Sequence, residues 1–259
     1  TVFTPGGNYN GFVVDATPPV SLSTLPSSAA FVNAVPTLSG TANGDLAGLS
    51  KVELTLYDQT ANLYWDGTQW IAQSISTLPA SFGVQTGTVT WTFDASGVTF
   101  TSGRRYGVTS KASDSAGNVE AAPVSTAFTF ATQAPSAAIS KPQPGALTPA
   151  YSNNAESART LTALSGTAAD GGANPSGVSE VWVAVASGAA SGSWWSDASG
   201  AFNVSQAAIF WTSAVPAGFN PWTYNKASLA PALADGNLYT AFTRARDTAG
   251  NLQGYVVNP

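Results

Sequence analysis

Apolar and polar positions alternate along most of this chain. Val52, Leu54 and Leu56 alternate with Lys51, Glu53 and Thr55. Val89, Trp91 and Phe93 alternate with Thr88, Thr90 and Thr92, and Tyr106 and Val108 alternate with Arg105 and Gly107. A period of two marks strands with one buried and one wet face. Asp66-Gly67, Ala95-Ser96-Gly97 and Ser102-Gly103 fall between these runs as turns. No long stretch carries the spacing of an amphipathic helix. The 16 Pro and 25 Gly among 259 residues suit short strands joined by loops.

The second half of the chain repeats the first. Leu38-Ser39-Gly40-Thr41-Ala42 matches Leu164-Ser165-Gly166-Thr167-Ala168, and Ser50–Leu56 matches Ser179–Val185. Tyr64-Trp65-Asp66-Gly67 has a looser echo in Trp194-Trp195-Ser196-Asp197. Val89-Thr90-Trp91-Thr92 aligns with Ile209-Phe210-Trp211-Thr212, and Tyr106–Asn118 with Tyr239–Asn251. The offset grows from 126 (Gly40 to Gly166) to 133 (Asn118 to Asn251), so the second repeat carries extra loop residues. Those are expected at 170–175 and around Phe219–Trp222. About seven short strands in each stretch of roughly 115 residues, at turn spacings of about 8–12, read as an immunoglobulin-like sandwich. The expected fold is therefore all-β: two tandem immunoglobulin-like β-sandwich domains behind an N-terminal extension strand. The divisions fall at 1–15, 16–132 and 133–259, with Pro19 and Pro135 stiffening the junctions.

Composition narrows the function classes. A hydrophobic content of 44% supports real cores, and two domains of ordinary size fit the length. Charged residues make up only 9%, with a net charge of −5. The nine Lys and Arg form no basic stripe, which argues against nucleic acid and anionic membranes. No apolar run approaches the ~20 residues of a membrane span. The absence of Cys suits an exported protein that folds without redox chemistry. Met is absent too, even at position 1, so the expectation is a chain that begins after processing or is part of something longer.

Asp114-Ser115-Ala116-Gly117-Asn118 recurs as Asp247-Thr248-Ala249-Gly250-Asn251. Together with a following strand and Asp15-Ala16-Thr17-Pro18-Pro19, this resembles the tandem bacterial Ig-like repeats of large surface and secreted proteins. Tyr64-Trp65-Asp66-Gly67, with Trp70 after it, is similar to such repeats as well. The resemblance spans nearly the whole chain. It implies a secreted or cell-surface location and a role as stalk, adhesin segment or enzyme appendage. The junction Gln133-Ala134-Pro135 departs from the pattern.

The two ends do not match. In the first repeat, Phe128 and Phe130 lie on an alternating strand that begins a few residues after Asn118; eight residues follow Asn251. Aligning Pro19 with Pro135 places Phe12 on Phe128 and Val14 on Phe130. Residues 11–15 therefore read as the closing strand of a preceding repeat. The expectation is head-to-tail assembly of identical subunits, with Phe12, Val13 and Val14 as donor strand and Tyr9, Phe3 and Val2 extending the contact. Two alternatives stay open: Tyr255-Val256-Val257 as a short closing strand, and a covalent array in which another repeat follows Pro259.

No catalytic machinery is expected. Without His and Cys the usual general bases, thiol nucleophiles and zinc sites are missing. Four Lys leave a Ser–Lys pair conceivable, but no strand–Gly-x-Ser-x-Gly–helix context supports one. Asp114 and Asp247 invite a calcium reading, as does 170–174; the competing reading is that each Asp caps a tight turn whose Gly (Gly117, Gly250) is left-handed, before Asn118 or Asn251. The turn is preferred, and neither metal nor cofactor is expected. Trp65, Trp70, Trp194, Trp195 and Trp222 are placed in or near loops and raise a glycan or host surface as a second partner class, with an adhesin role as the alternative function. Trp91, Trp182 and Trp211 are assigned to the sheets. Asn203-Val204-Ser205 is a glycosylation sequon.

Overall fold

The structure, a computed structural model, describes residues 12–72, 76–83, 87–143, 161–188, 192–214 and 219–254. Phe3, Tyr9 and Tyr255–Val257 lie outside the described residues. The chain divides into two compact units. Unit 1 draws on residues up to 30, 35–100 and 104–129; unit 2 draws on 31–34, 101–103 and residues from 130 onward. Both are all-β sandwiches, the fold class the alternating pattern predicts.

The strands of the first repeat are β1 (Val20–Leu25), β2 (Phe31–Val32), β3 (Thr37–Asn43), β4 (Leu49–Asp58), β5 (Leu63–Trp65) and β6 (Trp70–Ile71). They continue as β7 (Leu78–Pro79), β8 (Ser81–Phe82), β9 (Thr88–Asp94), β10 (Arg104–Asp114) and β11 (Ser125–Phe130). One sheet runs β1–β3–β9–β8; the other runs β2–β11–β10–β4–β5–β6, with β7 also on β4. The period-two runs sit where the sequence places them. Val52, Leu54 and Leu56 of β4 are buried against Leu38, Ala42 and Trp91 of the facing sheet, and Tyr106, Val108 and Phe128 complete the core. Phe128 packs on Tyr106 and Phe100, with ring centroids 5.7 and 5.9 Å apart.

The second repeat forms β12 (Ser136–Lys141), β13 (Leu164–Ala169), β14 (Val178–Ser187), β15 (Ser193–Ser196), β16 (Ala201–Val204), β17 (Thr212–Ser213), β18 (Trp222–Tyr224) and β19 (Tyr239–Asp247). A single helical turn, α1 (Leu229–Ala232), precedes β19. The sheets are β12–β13–β18 and β16–β15–β14–β17, with β19 on β14. Leu164, Ala168, Trp222 and Tyr224 from one sheet meet Val181, Val183, Val185, Trp195 and Ala245 from the other.

The recurrence of Leu-Ser-Gly-Thr has a steric cause. A Cβ on Gly40 would lie 2.0 Å from Leu22 O and 2.3 Å from the Trp91 ring. A Cβ on Gly166 would lie 1.8 Å from Ala138 O and 2.6 Å from the Trp222 ring. Only glycine lets an indole from the next strand lie flat on this backbone. The register agrees, since Gly40 faces Trp91 and Gly166 faces Trp222.

That pairing corrects the sequence alignment. The counterpart of Trp91 is Trp222, not Trp211, and Trp222 is fully buried core rather than loop. Trp211 is instead half-buried and stacks on the Arg244 guanidinium at 4.4 Å. Trp182, assigned to the sheet, is half-buried and lies under Arg244 and Arg246. Trp65, Trp194 and Trp195, expected near loops, are buried. Periodicity found the strands, but in a segment with inserted residues it attached the motif to the wrong one of two tryptophans.

Candidate functional site

Each unit ends its long strand in the same turn. Asn118 donates its backbone N–H to Asp114 Oδ1 at 2.7 Å and its Nδ2 to Oδ2 at 2.8 Å. Asn251 donates to Asp247 in the same way, at 2.7 Å for both bonds. Gly117 and Gly250 take φ of 94° and 93°, a region that disfavours other residues. Burial opposes the charged form of Asp114, but the hydrogen bonds from Asn118 outweigh it and hold the carboxyl below its usual range. Both oxygens of each Asp are thus engaged in the turn. At Asp170, Oδ2 accepts from Gly177 N at 2.8 Å.

The second Nδ2 hydrogen of this Asn holds the chain entering the unit. Asn118 Nδ2 lies 3.1 Å from Asp15 O, and Asn251 Nδ2 lies 2.8 Å from Ala131 O. Asp15 and Ala131 are 116 residues apart, the offset that superposes Pro19 on Pro135 and Phe12 on Phe128. Asp15 is tied further by Ala47 N on Oδ2 at 2.8 Å and Thr17 N on Oδ1 at 3.0 Å.

Two residues beyond the Asn sits a second fastener that the sequence comparison missed. Glu120 is buried and accepts from Ser21 N (3.0 Å), Ser21 Oγ (2.6 Å) and Ala112 N (3.0 Å). Gln253 stands in its place: Oε1 accepts from Ala137 N (2.7 Å) and Ala245 N (3.1 Å), and Nε2 donates to Ala137 O (3.2 Å). Where the first strand offers a serine hydroxyl, a carboxylate receives it; where it offers alanine, an amide turns a donor to the carbonyl. The signal was present as x-Glu and x-Gln after matched Gly-Asn pairs, but it needed the insight that an acid and an amide serve one role.

Beyond this point the units differ. In unit 1, β11 returns alongside β10. It also reaches the other sheet, where Thr126 Oγ1 donates to Ser23 O. The inward residues Tyr106, Val108 and Ser110 are buried under it. In unit 2, Leu252 and Gln253 begin the same pairing with β19, through a bridge to Arg246 and a bond to Ala245 O. Among the described residues no strand then lies along β19 on the side away from β14. Tyr239, Ala241 and Thr243, at the positions of Tyr106, Val108 and Ser110, are only half-buried, and so is Ile139 of β12, at the position of Ser23. These four side chains are half-buried at inward-facing positions, with Ile139 and Ala241 packed against the core of unit 2. Tyr239 stacks on Phe202 at 5.0 Å, with no described counterpart of Phe128 above it.

The predicted donor residues Phe12, Val13 and Val14 are 86%, 77% and 73% exposed and belong to no strand. They leave unit 1 directly from the anchored Asp15.

Other polar clusters serve packing. Asp197 accepts from Trp195 Nε1 (2.9 Å) and the Tyr224 hydroxyl, and pairs with Lys226 (2.7 Å). Burial first, then Asp197, raises the Tyr224 pKa, so the hydroxyl keeps its proton and donates. Buried Asp58 binds Arg104 at 2.8 Å and two backbone N–H groups. Trp70, the remaining stacking candidate beside Trp65, is half-buried within a ring cluster with Trp65, Phe100 and Tyr106.

No family model matches the chain, and no curated protein does. Among solved structures, a crystal structure of chicken CNTN1 FN1–FN3 domains is similar over 90% of this chain at 11% identity and a TM-score of 0.38. This chain covers 62% of that one. Among the described residues no helix is long and apolar enough to cross a membrane.

Proposed function

We propose that the chain is a structural subunit of an extracellular filament or surface stalk. The N-terminal strand of one copy closes the open groove of unit 2 in the next. One observation carries the reading: Tyr239, Ala241 and Thr243 on the inward face of β19 are only half-buried where Tyr106, Val108 and Ser110 on the same face of β10 are buried beneath Phe128 and its strand. The complementary piece is Phe12–Val14, which is apolar, exposed and in register with Phe128–Phe130. A groove on one end and a strand on the other make a heterologous contact, which propagates rather than closes.

Burying Phe12 and Val14 contributes roughly 1.5–3 kcal/mol each. Ladder hydrogen bonds add about 0.5–1.5 kcal/mol apiece, offset by the cost of ordering the arm. The competing occupant is a strand supplied by the same chain after Gln253, as in a covalent array.

The test is the size distribution of the 259-residue chain, by sedimentation and electron microscopy, beside the F12D/V14D double variant. Polymers that disappear in the variant are expected. Polymers that persist in it, or an unaltered chain that stays monomeric at high concentration, would overturn the proposal.

A further inference from the structure

The exposed apolar surface at the entry of unit 1 does not end with the arm. Leu46 is 64% exposed on the loop between β3 and β4. With Val13, Ala47 and Ala116 it lines a shallow hollow beside Asp15. A leucine at a loop tip gains nothing for the core here, since Leu49, three residues on, fills the buried position.

Granted the strand exchange proposed above, we propose that this hollow is a docking face for a second copy of the chain, and that the arm and the face form one interface. The anchoring of Asp15 is the reason. Asn118 Nδ2 and Ala47 N fix its carbonyl and carboxylate to unit 1, so no free linker separates arm and body. An extended chain advances about 3.3 Å per residue, which keeps Val14 to Phe12 within roughly 10 Å of Asp15. A neighbour that takes these residues into its groove must therefore rest against the entry face.

The side-chain alternation agrees. Val13 lines the hollow of its own unit. A strand through this segment turns Phe12 and Val14 to the opposite side, toward the acceptor. Val13 would then be covered from both directions, by Leu46 and Ala116 of its own copy and by the rim of the neighbour's groove. The arm supplies the identity of the contact, and the face fixes its angle. A joint built this way is stiff.

The experiment separates the two halves. Leu46→Glu in the full chain charges the face and leaves the arm unaltered. A synthetic peptide of residues 1–16 probes the groove alone, with the full-length F12D/V14D chain as acceptor because it donates no strand. Leu46→Glu is expected to raise the polymerisation threshold about tenfold or more. The same change placed in the F12D/V14D acceptor is expected to leave peptide affinity unchanged. If Leu46→Glu polymerises like the unaltered chain while the peptide binds, the docking face is wrong and the strand exchange stands. If Leu46→Glu weakens peptide binding equally, Leu46 acts through folding and the docking face is again wrong. If the peptide does not bind the acceptor at all, the groove reading fails and takes the docking face with it.

Discussion

Units 1 and 2 carry the same turn, the same glycine under the same indole and the same fastener, yet three inward positions that are buried on β10 are only half-buried on β19. In unit 1, β11 lies along β10, bonds across to β1 and drops Phe128 into a ring cluster. In unit 2 the equivalent positions Tyr239, Ala241 and Thr243 of β19 and Ile139 of β12 are half-buried. A closing strand thus supplies both backbone pairing for one sheet and an apolar lid for the other. Its place can be filled by any strand of the right period, because the ladder does not depend on where the strand comes from. What must be specific is the side chain at the position of Phe128.

Three changes break or sharpen this comparison. The largest effect is expected at the buried indoles. Trp222→Ala should destabilise unit 2 by about 3–5 kcal/mol, as should Trp91→Ala in unit 1. Trp211→Ala, half-buried against Ala184, Ala186 and Trp194, should cost about half as much. Chemical denaturation of the three variants checks the assignment of Trp222 as the partner of Gly166; equal losses at 211 and 222 would refute it.

The next effect compares the closed and open edges directly. Phe128→Ala removes a ring that is 1% exposed and should cost about 3–5 kcal/mol. Tyr239→Ala, on the half-exposed face, should cost about half as much in the monomer. The gap is expected to narrow when the arm peptide is added. Hydrogen exchange gives the same answer without substitution: the amides of β19 that face away from β14 should exchange faster than their counterparts on β10.

The smallest effect is electrostatic. The Asp114 carboxyl titrates below its usual range in the folded state, so its contribution is complete above about pH 4 and fades as the pH falls through the folded value. Asp114→Asn should flatten that acid limb of unit 1 in thermal melts between pH 5 and 2. An unchanged limb would show that other carboxylates set it.

Some of this is legible in the sequence alone. Val52, Leu54 and Leu56 point inward because alternation is a local property of an extended chain. Asp114 and Asp247 announce their turns because a short carboxylate, a left-handed glycine and an Asn are bonded within five residues. The tryptophans were not legible. Trp211 and Trp222 sit in one inserted segment, and which of them lies on Gly166 depends on the register of β18 with β13, a pairing across more than 50 residues. The pairing of Glu120 with Gln253 is not legible either, because their shared role appears only with Ser21 and Ala137 beside them.

Taken by itself, the sequence determined the alternating strands of the first repeat, the twofold repeat and its turns. Each of these rests on spacing along the chain or on groups a few residues apart. The tertiary structure decided which indole packs on Gly166, how an acid and an amide close the same corner, and which inward positions of unit 2 are only half-buried. Those outcomes depend on close approach between distant segments, where a carbonyl oxygen that would lie 2.0 Å from an added Cβ on Gly40 decides what side chain is allowed. Spacing in the sequence carries no record of that distance.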